Sequence, residues 1–286
     1  MNSSNKASLT SLISLLDDED EHVAVSAMAE LLSREPELGE VLAELQEGDD
    51  PLARRRAHQL QAAITLRRRR REFSAKLDAP KVDLIDGLID VHLQWYDNDS
   101  RPELVRIWED FRTEAHRFPQ RTLEDISYFM RKSGFSAMAE TTLHPEYYCI
   151  GPILENGVGA GSILAGLMLE LAAPATGLKL VRVMGEFALY DGEGRLLLPG
   201  RNFQVCPAPG IEHCDFWDRR MLLRFASTTL FAAAVNSDSF RYVLTIAQAL
   251  SGTEGDESLD YMVSLCARPR SDPLANGRNA QEGELK

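Results

Sequence analysis

Between Glu155 and Ala172 the sequence ENGVGAGSILAGLMLELA sets a glycine-rich turn directly before an apolar helix, with Ser162 at its mouth. A helix over 162–173 carries Glu170 and is too short to cross a bilayer, so its cover must come from the chain itself. The next segment, LKLVRVMGEFALYDGEGRLLLPGRNFQV at 178–205, offers short β-rich runs split by DGEG, a hairpin signal. The helix is expected to pack on one face of these strands. Read as one strand, VRVMGEFALY puts Val181, Val183, Gly185 and Phe187 on one side. Arg182, Met184, Glu186 and Ala188 then share the other, with Arg182 the nearest partner for Glu186 by spacing.

Upstream of this motif the pattern is helical. Residues 8–71 read as four short helices in two similar pairs offset by 30: Leu12 matches Leu42, Leu15 matches Leu45, Asp20 matches Asp50 and Ala27 matches Ala57. Such pairs resemble HEAT-like repeats, and residues 1–77 are expected to form a helical slab. Asp50 before Pro51 marks a helix start. Segments 82–96 and 102–118 repeat apolar residues at three and four, with Asp83 and Glu103 near their starts. A helix over 122–133 should end at Gly134, followed by the apolar Phe135. Helices return at 217–235 and 238–251, closing a core of 78–252. The tail 253–286 is expected to be partly disordered, above all from Arg268 on, where almost no apolar residue remains.

Charge narrows the function. A net charge of −13 argues against general affinity for nucleic acid or anionic membrane. The run Arg67 to Arg71 points all round a helix, so most of it must be solvated, and it is read as a helix C-terminus. The N-terminus has one basic residue before a short apolar run that meets four acids, unlike a secretory signal, so a cytoplasmic protein is expected. Cys149, Cys206, Cys214 and Cys266 form no CxxC pair and read as reduced thiols. Cys149 with His144, and Cys206 with His213 and Cys214, are thinkable as a catalytic pair and as zinc ligands. Neither fits a common pattern, and small buried hydrophobes are the plainer reading. No cofactor and no metal is expected.

The glycine motif itself has three readings. A phosphate loop would need a lysine after the last glycine, and none follows. A serine-hydrolase elbow would need glycine two residues either side of Ser162, where Ala160 and Leu164 stand. As a helix N-cap, Ser162 needs no further assumption.

A further reading comes from resemblance. The order of Gly134–Phe135, Tyr147–Tyr148, PILENG, ILAGLMLELA and MGEF at 184–187, with the later DRRMLLRFASTTLFAAAVNSDSFRYVLTIAQAL, resembles the SirB-type bacterial transglutaminase-like family over roughly 120–252. That resemblance implies an α+β fold, mostly helical: a papain/transglutaminase-like core with a small antiparallel sheet, the helical N-terminal slab and a helical C-terminal extension. It also implies that the family's cysteine position falls on Ser162, its histidine on Glu186 and its aspartate within Leu198–Gly200. All three roles would be vacant, leaving vestigial positions and no catalytic residue. The expected function is regulatory binding of a protein partner. The alternative is a residual cysteine- or serine-dependent hydrolase or acyltransferase using the cleft at Ser162.

Overall fold

A computed structural model describes residues 3–34, 38–139, 141–172, 176–237 and 240–251, in two units that meet in sequence at Glu72 and Phe73. The expected tail at 253–286 lies outside the described residues.

The first unit contains α1 (Ser3–Ile13), α2 (Glu21–Ser33), α3 (Gly39–Glu47) and the larger part of α4 (Pro51–Asp78). The 30-residue offset has a physical counterpart. Asp20 accepts a bond from the His22 N–H and Asp50 from the Leu52 and Ala53 N–H groups, while Ala27 and Ala57 are both buried. Leu9, Leu16, Leu31, Leu38, Leu42 and Leu60 fill the core between these helices. Arg56, buried on α4, donates to the carbonyls of Leu16 and Asp18 and so ties α4 to the turn between α1 and α2. The fourth helix is not short. It runs through the arginine run, which therefore lies mid-helix and not at a C-terminus; Arg68 and Arg71 are exposed, and Arg67, Arg69 and Arg70 half-buried.

In the second unit the helix ends follow the side chains that can cap them. Helices α5 (Leu84–Trp95) and α10 (Arg219–Asn236) begin at Asp83 and Asp218, each accepting a backbone N–H of its first turn. Helix α7 (Leu123–Lys132) opens with a capping box, Thr122 and Asp125 bonding each other's backbone. It closes with the Gly134 N–H on the Arg131 carbonyl and the Phe135 N–H on the Met130 carbonyl. With Gly134 at φ +79° this is a Schellman ending, as the Gly-Phe step predicts. Helices α6 (Arg101–Ala115), α8 (Ile150–Asn156), α9 (Gly161–Leu171) and α11 (Phe240–Ser251) complete the set. Strands β1 (Ser136–Met138) and β2 (Val158–Ala160) pair in parallel, so part of the glycine-rich turn is itself a strand.

The remaining strands, β3 (Lys179–Val183), β4 (Glu186–Tyr190), β5 (Arg195–Leu198), β6 (Gln204–Pro207) and β7 (Cys214–Trp217), make one antiparallel sheet in the order β6-β5-β4-β3-β7. The fold is thus mixed α+β and mostly helical, with the small antiparallel sheet expected. Ile163, Leu164, Leu167 and Met168 of α9 share a core with Leu180, Phe187, Leu189 and Leu197 of the sheet. Each such side chain contributes about 1.5–3 kcal/mol by burial.

VRVMGEFALY is two strands, not one. Val183 pairs with Glu186 across Met184 and Gly185, whose φ values of +50° and +87° fit the tight hairpin turn with two left-handed residues. A two-residue turn reverses the alternation predicted for an unbroken strand. Val181 and Val183 share their face with Glu186 and Ala188, while Phe187 lies with Leu180 on the face that α9 covers.

Candidate functional site

Ser162 is not the cap. Helix α9 starts at Gly161 with Ala160 as its N-cap, a residue with no side-chain bond to give, and Ser162 sits in the first turn with none of its surface exposed. The reason is that β2 delivers extended backbone as far as Ala160, so the chain turns helical one residue before the serine. Glu186 lies on the sheet face opposite α9. Its partner is Arg201, Nε to Oε2 at 3.0 Å, rather than Arg182, whose guanidinium lies over the rings of Phe187 and Trp217. Gly200 adjoins the Glu186 carboxylate, and Pro199–Arg201 forms a single 3₁₀ turn. The structure therefore gathers Glu186 with the 198–201 segment, on the sheet face away from α9, while Ser162 is buried within α9.

The cysteine alternatives separate as well. Cys206 and Cys214 lie on β6 and β7, the two opposite edges of the five-stranded sheet. Four inter-strand steps of about 4.8 Å stand between them, far beyond zinc coordination. Among the described residues no group of three or more His, Cys, Asp or Glu side chains is placed to hold a metal ion. His144 is exposed and reaches toward Glu146, not Cys149.

A different histidine packs against α8, the helix whose N-cap is Cys149. His92, on α5, is 1% exposed, and its Nε2 lies 2.9 Å from Asp99 Oδ2. The geometry is local. The Tyr96 N–H closes α5 on the His92 carbonyl, and the Asp99 N–H then bonds the Tyr96 carbonyl, folding Asp99 back onto the last helical turn. Tyr96 lies against the imidazole with ring centroids 5.0 Å apart. On the other side stands Gly151 of α8: a Cβ there would fall 2.8 Å from His92 Cε1 and 3.3 Å from Nδ1, so only glycine leaves room for the ring. Asp86 and Asp90, one turn apart on α5, both pair with Lys76 and with Arg101, the first residue of α6, which fixes α6 beside the histidine.

His92, Tyr96, Asp99 and Gly151 lie at a hollow of about 450 Å³. Its described lining includes His92, Tyr96, Asp99, Glu103, Gly151 and Glu155, three carboxylates with no lysine or arginine. The electrostatics follow. Burial pushes the His92 pKa below its ordinary value, against the bond to Asp99 and the charges of Asp99 and Glu155. Burial raises Tyr96 to about 12, with Cys149, Glu146 and Asp99 adding to it. The Cys149 thiol, fully buried, is pushed up by burial first and then by Asp99 and Glu146. With Nε2–H donating to Asp99, a neutral His92 keeps Nδ1 as an acceptor, and among the described residues no atom bonds that nitrogen.

Sequence reasoning missed this group. The signal is a histidine on the apolar face of VDLIDGLIDVHLQWY, followed seven residues later by an aspartate at the turn into the next helix. No family model, no curated protein and no solved structure matches the chain.

Proposed function

We propose that this protein is a non-catalytic relative of the SirB-type transglutaminase-like proteins, with a papain-like core, and that it acts by binding a protein partner. One observation carries the reading: the nucleophiles that stand nearest a catalytic role are held where attack is suppressed. Ser162 is wholly buried within α9. Cys149 is wholly buried too, and burial with two nearby carboxylates keeps its thiol protonated. Its position as N-cap of the short α8 is outweighed by that desolvation.

Support for a protein partner comes from one end of the sheet. Cys214 pairs with Val183, which brings the Met184 turn beside the Ile211–His213 turn at the edge strand β7. Met184 is 84% exposed and Ile211 59%, with Phe216 partly exposed along the same edge. Apolar side chains beside a strand edge mark a surface suited to protein contact.

Labelling of the native protein with a fluorophosphonate and with iodoacetamide, mapped by peptide mass spectrometry, tests the reading. The expected result is no stoichiometric, site-selective label at Ser162 or at any single cysteine. Such a label at one of them overturns the proposal and favours a residual hydrolase or acyltransferase.

A further inference from the structure

We propose that a second hollow, between the 116–121 turn and the C-terminal end of α9, binds a multiply charged oxyanion, a small molecule carrying phosphoryl or carboxylate groups. It measures about 800 Å³, room for a small organic ligand. Its described lining brings together Arg112, His116, Arg117 and Arg121 with a single carboxylate, Glu170. That concentration of cations runs against the chain as a whole, which carries a net charge of −13. Their charge is not spent within the protein. Glu170 is occupied by Arg219, Oε1 to Nε at 2.6 Å, and Arg112 pairs with the exposed Glu109. Arg117, Arg121 and His116 are exposed, and their side chains make no ion pair among the described residues.

Nor are the arginines needed to finish a helix. Cations near a helix C-terminus commonly bond its last carbonyls, but those of α6 are already taken. The Arg112 carbonyl accepts the His116 N–H, Glu114 accepts the Arg117 N–H, and Ala115 accepts both the Phe118 N–H and the Gln120 amide. The guanidinium groups of Arg117 and Arg121 are left over. The same bonds make the turn rigid, folding it back onto α6. At its far end the Arg121 and Thr122 N–H groups bond the Asp125 carboxylate at the start of α7, and Phe118 packs on Phe129 with Lys132 Nζ over its ring. The cations are thus held at one hollow by backbone, and an anion among them would relieve their repulsion without reordering the chain. Arginine suits the task, because its planar fork meets two oxygens of one phosphate or carboxylate. A cationic ligand would be repelled, and a neutral one would leave the charge uncompensated. The site uses neither Ser162 nor a cysteine, so it goes beyond the non-catalytic reading, and either can fail without the other.

Isothermal titration calorimetry of the full-length protein with pyrophosphate and with citrate, at low ionic strength, tests the proposal. At least one of the two anions should bind saturably, and the tighter of them identifies the preferred group, phosphoryl or carboxylate. Arg117→Gln and Arg121→Gln, both exposed changes that leave the core untouched, should each weaken that binding by at least about fivefold. Arg55→Gln, an equal change of charge at an exposed position on α4, should leave it unchanged. No saturable binding of either anion overturns the proposal, and so does an unchanged affinity in Arg117→Gln or Arg121→Gln. Equal weakening by Arg55→Gln overturns it too, since the attraction would then belong to the overall charge and not to the hollow.

Discussion

The mouth of α9 and the hollow between α5, α6 and α8 draw on similar residues: glycines, a small nucleophile and titratable side chains. They end in opposite states. At α9 everything is closed, with Ser162 buried, Phe187 and Leu189 packed against the helix, and Glu186 sent to the far face of the sheet to meet Arg201. At the hollow a loop of four residues, 96–99, folds a carboxylate onto a buried imidazole whose other edge packs against Gly151. The difference teaches that glycines and a helix mouth do not make a site.

The comparison breaks most readily on the closed side. Phe187 is 2% exposed and carries the sheet onto α9, so Phe187→Ala should destabilise the second unit by about 3–5 kcal/mol. Urea unfolding followed by tryptophan fluorescence reads this directly; a loss below about 1 kcal/mol would mean that the seam is not tightly packed.

On the open side, Gly151→Ala drives a methyl group against the imidazole and Leu104 and should destabilise by about 1–3 kcal/mol. The same unfolding measurement checks it. A neutral or stabilising outcome would show that the ring has room to move.

A smaller effect is the pH dependence of stability. The folded His92 pKa lies below its ordinary 6.5, so as pH falls from about 6.5 the unfolded chain takes up a proton that the folded one resists. The contribution is fully present above that pH and declines below it. His92→Gln should flatten this limb of the stability curve, measured by urea midpoints between about pH 7.5 and about pH 5.5. Equal slopes for the variant and the parent protein would show that the ring is not held neutral.

The smallest change belongs to Glu186. Its pair with Arg201 is well exposed on both sides, and Glu186→Gln should alter stability by less than about 1 kcal/mol. A larger loss would reveal a buried role for this carboxylate.

Much of this architecture is written in local sequence. The Asp83 cap, the Gly134–Phe135 ending and the DGEG turn are short-range chemistry, and the structure follows them. The sheet faces were not legible, because Met184–Gly185 reads as strand until a left-handed non-glycine residue is allowed into the turn. Nor was the start of α9, since serine is the better cap by propensity and the parallel pairing of β2 with β1 decides otherwise. His92 and Asp99 stand seven residues apart in sequence, within reach, but nothing local says that α8 would present Gly151 to the ring. That contact is tertiary.

The central claim is that the Met184–Gly185 turn sends Glu186 away from α9, so that positions 162 and 186 do not form a site. Iodoacetamide alkylation of Ser162→Cys, alone and combined with Glu186→His, measured at residue 162 by peptide mass spectrometry near neutral pH, tests this most directly. The account predicts slow alkylation in both proteins, at equal rates that rise together only as denaturant unfolds the chain. Fast alkylation of the native double variant, beyond that of Ser162→Cys alone, would place an imidazole beside the thiol and contradict it.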